Sequence, residues 1–205
     1  MSNIVEEPEA YFRQFIGHKE DPLLQDLESE AEADGIPIVG PVVGELLYVL
    51  ARTSGARAIL ELGAATGYSA IFLARACALN SGSLTTLERD PGFAARARKN
   101  LERAGLGAQA TVLCDDALTH LPRIKGVFDL IFMDIEKADY SRALPECHRL
   151  LRSGGLLVAD NVAFPDADAF NRAIFTDAGW QPVALLAFLP GHSPERDGLC
   201  LALRR

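Results

Sequence analysis

Residues 59–74 read ILELGAATGYSAIFLA. The apolar run at 59–62 carries one acid, Glu61, and is broken by Gly63 and Gly67 before apolar residues resume. A carboxylate on a buried strand costs free energy unless something polar meets it. Glycines there let the backbone turn sharply and approach a ligand closely. The helix that follows aims free N–H groups at that point. The spacing is G-x-x-x-G, not the dinucleotide G-x-G-x-x-G, so a pyrophosphate is not specially indicated. An acid at the strand end repels phosphate and suits a cationic ammonium. The stretch therefore reads as a strand, turn and helix that could receive a nucleoside-like cofactor. A glycine turn with solvent-exposed strand-end acids is the plain alternative.

Outward from this stretch the chain alternates. Strands are expected at 57–62, 83–88, 109–114, 127–133 and 156–160, with helices at 67–79, 91–105, 116–121, 140–155 and 166–178. Asp90, Pro91 and Gly105 supply an N-cap, a first-turn proline and a terminating glycine for the second of these helices. Upstream, 9–34 reads as two helices broken near Gly17 and Pro22. Residues 41–52 form a helix with Val43, Leu46, Leu47 and Leu50 on one face. The last apolar runs, 180–189 and 198–203, flank PGHSPERDG and suit an antiparallel hairpin. Seven strands result. Several are almost wholly apolar, as in an α/β sheet that is mostly parallel and covered by helices on both faces. Such sheets bind ligands at the carboxyl ends of their strands.

The chain has 205 residues, a size expected of one domain, 1–205, with an acidic helical extension at 1–35 and a core at 36–205. Of the net charge of −8, residues 1–34 hold ten acids against Arg13 and Lys19, and the rest is neutral. That acidity reads as a solvated helical face and disfavours a nucleic-acid partner. Arg96, Arg98, Lys99 and Arg103 read as the wet face of a helix. Cys77, Cys114, Cys147 and Cys200 are scattered, the pattern of reduced, mostly buried thiols in a cytoplasmic protein. No secretory signal or bilayer-length apolar run is present.

Polar residues at strand ends carry the chemistry. Glu88, 27 residues after Glu61, can accept both hydroxyl hydrogens of a ribose. Asp115, Asp116 and Ala117 follow the third strand, where an adenine edge could lie, and either acid could equally cap a helix. Asp134 and Asp160 end two apolar strands. If these are neighbours, their tips lie about 4.8 Å apart, and two carboxylates so close call for a cation or a shared proton. With Asn161 they make three hard oxygen donors suited to Mg²⁺ or a similar ion. Two separate loop carboxylates are the alternative. Lys137, three residues after Asp134, would be a proton acceptor if a cation and burial lower its pKa. His18, His120, His148 and His192 form no metal-spaced set. The residues around Ser69 do not complete the G-x-S-x-G pattern of a hydrolase nucleophile.

Together ILELGAATGYSAIFLA, LTTLERDPGFAARARKNLERAGL (84–106), FDLIFMDIEKADY (128–140) and LLRSGGLLVADNV (150–162) resemble, in order and spacing, the cation-dependent O-methyltransferases that use S-adenosylmethionine. These include catechol and caffeoyl-coenzyme A O-methyltransferases and small bacterial relatives. The resemblance runs from about residue 36 to 205. It implies a seven-stranded Rossmann-like methyltransferase sheet with an antiparallel last strand, and commonly a homodimer. It places Glu61, Gly63, Ala64 and Ser69 at the methionine end of the cofactor, with Gly67 and Tyr68 in the same loop and Val39 touching it. Glu88 would hold the ribose, Asp116 and Ala117 the adenine side, and Asp134 and Glu136 further cofactor contacts. Glu136 stands where the family often has aspartate, and Asp115 where it usually has glycine. Asp134, Asp160 and Asn161 would be metal ligands, Lys137 the base, with Asp134 beside it. The implied activity is methylation of a hydroxyl on a small catechol-like or vicinal-diol acceptor with Mg²⁺ or another divalent cation. A hydroxylated tRNA base as acceptor and a non-catalytic cofactor-binding sheet are the alternatives. A dinucleotide oxidoreductase is disfavoured by the glycine spacing. Residues 1–40, 163–170 and 188–197 would build the acceptor pocket, with Tyr11, Phe12, Phe164, Phe188 and His192 as candidates for its lining.

Overall fold

A computed structural model describes residues 5–17 and 21–205. His18, Lys19 and Glu20, which entered the reading of the N-terminal stretch, lie outside the described residues. In chain order the elements are α1 (Pro8–Arg13), α2 (Pro22–Asp34), α3 (Gly40–Thr53), β1 (Ala58–Leu62), α4 (Tyr68–Leu79), β2 (Ser83–Glu88), α5 (Pro91–Arg103) and β3 (Ala110–Cys114). Then come α6 (Ala117–His120), β4 (Phe128–Met133), α7 (Tyr140–Leu150), β5 (Leu151–Ala159), α8 (Asp168–Thr176), β6 (Trp180–Phe188) and β7 (Arg196–Arg204).

The seven strands form one sheet in the order β3-β2-β1-β4-β5-β7-β6. Strands β1 to β5 run parallel, and β7 is antiparallel to both β5 and β6. The strand order reverses between β1 and β4, so the loops after these two strands diverge and leave a crevice at the carboxyl edge. Strand periodicity divides the core in two. Ile59, Leu130, Phe132 and Val158 face a cluster built with α2, α3, α4 and α5. Leu60, Leu62, Ile131, Met133 and Leu157 face the other, with Tyr140 and Leu144 of α7 and Phe170 of α8.

Local signals act as their chemistry dictates. The Asp90 side chain accepts from the Phe93 N–H at 2.8 Å to cap α5, and Gly105 closes it at φ +71°. On α3, Val43 and Leu47 are fully buried, and Leu46 and Leu50 pack partly buried against the same cluster. One helix is shorter than its glycines suggest. The expected helix at 140–155 ends at Leu150, and Leu151 already pairs with Phe128 as the first residue of β5. The ladder resumes at Leu130 with Leu156, and the intervening SGG stretch is absorbed in that irregularity. The expected helix at 166–178 is a 3₁₀ turn at Pro165–Ala167 followed by α8.

The acidic N-terminal stretch and the basic face of α5 are not two separate wet surfaces. Arg96 pairs with Asp34 at 2.9 Å and Arg103 with Asp26 at 3.2 Å, while Arg75 of α4 meets Asp21 at 2.7 Å. Leu24 and Leu27 on the opposite side of α2 enter the core. The four cysteines are free, three buried and Cys114 exposed. No helix among the described residues is long and apolar enough to cross a membrane.

Candidate active site

The site begins with strand register. Met133 pairs with Ala159, so the next residues, Asp134 and Asp160, stand side by side at the tips of β4 and β5. The buried Tyr140 hydroxyl reaches the carbonyls of Met133 at 3.1 Å and of Asp160 at 3.0 Å, fastening the two tips together. On the other side, the Asp134 N–H donates to Leu62 O at 2.8 Å and the Gly63 N–H to Leu87 O at 2.9 Å. The loop after β1 then crosses so near the β4 tip that a Cβ on Gly63 would lie 2.1 Å from the Asp134 carbonyl oxygen. With φ at +93°, glycine is required there on both counts.

A cavity of about 500 Å³ opens over these tips. Val39, Gly63, Glu88, Asp116, Ala117, Asp134, Glu136, Lys137, Asp160 and Asn161 all line it. A smaller recess of about 80 Å³ beside it takes Ala64, Tyr68 and Ser69. Glu61 and Gly67 line neither. Glu61 lies wholly buried beneath the loop, and neither carboxylate oxygen has a hydrogen-bond partner among the described residues. Burial pushes its pKa up to about 7; the nearby Ser69 and Thr86 hydroxyls act against this from outside good bonding geometry, and the charges of Asp134 and Glu88 add to it. The Glu88 carboxylate is fixed instead, accepting from the Ala65 N–H at 2.8 Å and the Asp90 N–H at 2.9 Å. A carboxylate has about four lone-pair directions, so two remain.

At the β4 and β5 tips each acid has a basic neighbour. Lys137 Nζ donates to Asp134 at 2.8 Å and to the Ile135 carbonyl at 3.2 Å. His192 Nε2 stands 2.9 and 3.1 Å from the two oxygens of Asp160, while its Nδ1 faces the Pro194 carbonyl at 2.7 Å. Burial disfavours the charged imidazole, but the Asp160 carboxylate and that carbonyl outweigh it and hold the His192 pKa above the usual histidine value. Asp134 is pushed up by burial and then by the charge of Asp160, against the pull of Lys137. The Asn161 N–H donates to Asp160 at 2.8 Å, and its side-chain amide donates to Asp197 at 2.5 Å. Among the described residues no three His, Cys, Asp or Glu side chains converge into a ready metal cage.

Histidine spacing gave no reason to single out His192 as a ligand, and nothing local in the sequence links it to Asp160, 32 positions away. Arg89 and Phe93 also line the cavity, and Arg89 forms an exposed ion pair with Glu136 at 2.8 Å across its mouth. Phe93 was legible only as the third residue of a capped helix. The two acids after β3 divide their work: Asp116 caps α6 through the Thr119 N–H at 3.0 Å, and Asp115 holds His120 at 2.8 Å. Of the aromatic candidates for an acceptor pocket, Tyr11, Phe12, Phe164 and Phe188 line neither this cavity nor the recess beside it. His192 lines both the main cavity and a second, more open one between α2 and the 190–195 loop.

Residues 16–168 match the profile of a family described as O-methyltransferase. A protein of Niastella koreensis named catechol O-methyltransferase is 42% identical over 167 residues, covering 78% of this chain and 75% of its own length. An O-methyltransferase from Bacillus cereus, solved with SAH, superposes with a TM-score of 0.85 at 28% identity, covering 97% of each chain. An O-methyltransferase from Streptomyces achromogenes involved in tomaymycin synthesis, solved with SAM, gives 0.84 at 29%, covering 98% of this chain and 99% of its own. A glycine loop packed on the β4 tip, a seven-stranded sheet with one reversed strand and this breadth of likeness make the chain an enzyme of the O-methyltransferase family.

Proposed function

We propose that the chain transfers a methyl group from S-adenosylmethionine to a hydroxyl of a small catechol-like or vicinal-diol acceptor, with the help of a divalent cation. The observation that carries this reading is one shared cavity: Gly63 of the glycine loop, Glu88, Lys137 and the oxygen donors Asp134, Asp160 and Asn161 all line it. The names of the N. koreensis, B. cereus and S. achromogenes proteins support the donor and the acceptor class.

The residues fit both groups. For the donor, Glu61 lies buried beneath the loop with no hydrogen-bond partner for either oxygen among the described residues, a negative charge that would favour a cationic ammonium seated in the recess above it. Glu88 keeps two acceptor directions for ribose hydroxyls. For the cation, two carboxylates and an amide form a hard-donor set, and the burial and then the charge of Asp160 that raise the Asp134 pKa are what a positive ion offsets. When bound, the donor supplies an activated methyl on a sulfonium, and the cation supplies Lewis acidity toward adjacent hydroxyl oxygens. The chain's own part is positioning and proton control. Val39, Gly63, Ala64 and Ser69 would seat the methionine end, Glu88 the ribose, and Asp116 with Ala117 the adenine side. Asp134, Asp160 and Asn161 would hold the ion. Lys137 would take the acceptor's proton at Nζ as the neutral amine, which requires that Asp134, its ion-pair partner here, be engaged by the ion instead. The second cavity, reached past His192, offers room for the rest of the acceptor.

A homodimer is part of the proposal. Strand β6 is the sheet edge and exposes Val183, Leu185 and Leu186, the last 86% exposed.

The test is an acceptor screen of catechols and vicinal diols with Mg²⁺ present and then chelated. Turnover of a catechol that vanishes on chelation and returns with Mg²⁺ is the expected outcome. Turnover unaffected by chelation refutes the cation, and absence of turnover on every ortho-diol with Mg²⁺ present refutes the acceptor class. Asp160→Ala is expected to abolish cation-dependent turnover and leave SAH affinity intact by calorimetry.

A further inference from the structure

We infer that Asp197 is a positioning residue: it turns the side-chain amide of Asn161 so that the oxygen, not the NH₂, faces the cavity shared with Asp134 and Asp160. The inference rests on the proposed cation site and assigns a function to a residue outside it.

Asn161 follows Asp160 directly and adopts a left-handed backbone, φ +51°, which asparagine tolerates better than most residues. This turn carries the chain from the tip of β5 toward β7, where the Val162 N–H donates to Gly198 O at 2.9 Å. The side chain thereby reaches Asp197 on β7. Nδ2 of Asn161 donates to Oδ2 of Asp197 at 2.5 Å, and the other Asp197 oxygen accepts from the Gly198 N–H at 2.6 Å. Both side chains are buried.

The two ends of an asparagine amide are nearly the same size, so packing does not choose between them. Hydrogen bonding does. A carboxylate accepts and cannot donate, so a buried Asp197 with a second donor on its other oxygen requires the NH₂ end. The oxygen is then left for the opposite side of the amide, and Asn161 lines the cavity. Without Asp197 the preference reverses. The strongest acceptor left near Asn161 would be the Asp160 carboxylate, already taking the Asn161 backbone N–H at 2.8 Å. The NH₂ would turn toward it, presenting donor hydrogens where a hard oxygen is needed. Asp197 therefore separates a three-oxygen set from a two-oxygen set with a donor in the way. Outer residues that orient a ligand in this manner typically change metal affinity by 10–100-fold.

The experiment measures Mn²⁺ binding to the full-length chain by electron paramagnetic resonance of the free ion, with SAH affinity by calorimetry in parallel. Asp197→Ala is expected to weaken Mn²⁺ binding by about 10-fold or more while SAH affinity holds. In an Asn161→Ala background the same substitution is expected to change Mn²⁺ affinity by less than about twofold, because its effect passes through the amide. Unchanged Mn²⁺ affinity in the single variant, or an undiminished loss in the Asn161→Ala background, overturns the inference. Asp197→Leu has the shape of the carboxylate without its acceptors and carries the same comparison if the alanine variant does not fold. Failure of both to fold and bind SAH makes Asp197 purely structural and also overturns it. A wild-type chain that binds no Mn²⁺, or binds it equally well after Asp160→Ala, refutes the cation site itself, a result distinct from the Asp197 comparison.

Discussion

Glu61 shows what one residue can cost a fold and return to a function. It sits fully buried, neither oxygen has a hydrogen-bond partner among the described residues, and burial pushes its pKa up to about 7 from an ordinary 4.5 against the pull of the Ser69 and Thr86 hydroxyls. A carboxyl group whose folded pKa is raised is easily buried when protonated, so its penalty is absent below about pH 4.5. As pH rises through 7, that stability is lost. The shift corresponds to about 3 kcal/mol. Glu61→Gln in the cofactor-free chain is expected to gain on wild type by up to about that amount between pH 5 and 8. Thermal unfolding across that range checks it, and a stability difference that does not change with pH refutes it. Lys137 is the second residue to which the proposed function gives a separable role. Lys137→Ala is expected to lower kcat by about 10²–10⁴-fold with little change in Mn²⁺ affinity. A variant at full rate strips Lys137 of proton transfer. The residue types at these positions were legible in the sequence, because acids ending apolar strands stand out. The neighbours that tune them were not: His192 reaches Asp160 only through the hairpin loop.

Among elements, the loop after β1 does most to define the site. Its closeness to the β4 tip makes Gly63 intolerant of any side chain, whereas a Cβ on Gly105 at the end of α5 meets nothing within 4 Å. Gly63→Ala is expected to cost about 2–5 kcal/mol from strain and overpacking together, with loss of SAH binding. Gly105→Ala is expected to cost about 1 kcal/mol and leave binding intact. Urea unfolding with calorimetry distinguishes them, and equal costs at the two positions refute the close-approach argument. Periodicity and caps located nearly every element. It failed at 151–155, where glycines after a helix looked like a stop and instead belong to an irregular strand start. Pairing with Phe128, a long-range contact, decided that stretch.

At the scale of the molecule, the reversed strand β7 has two consequences. It carries Asp197 to the back of Asn161, and it places β6 at the edge with apolar side chains outward. Leu186→Glu is expected to convert a dimer into a folded monomer whose unfolding midpoint no longer depends on protein concentration, measured by light scattering and thermal melts. A wild-type chain that is already monomeric refutes the homodimer. The acidic α2 also acquires its meaning only here, since its carboxylates meet Arg96 and Arg103 of α5. Exposed pairs of this kind contribute up to about 1 kcal/mol each, so they register the helix more than they hold it.

The sequence by itself determined the alternation of strands and helices, the helix caps, the glycine loop and the acids at the strand ends, because each is set by neighbours a few residues away. Only the tertiary structure decided which acid is buried unpaired, which strand lies between β5 and β6, and which side chains meet Asp160 and Asn161 from behind. Those depend on contacts between residues 30 or more positions apart, such as Asp160 with His192 and Asn161 with Asp197, and hydrogen-bond satisfaction in a buried site is settled only once such partners have come together.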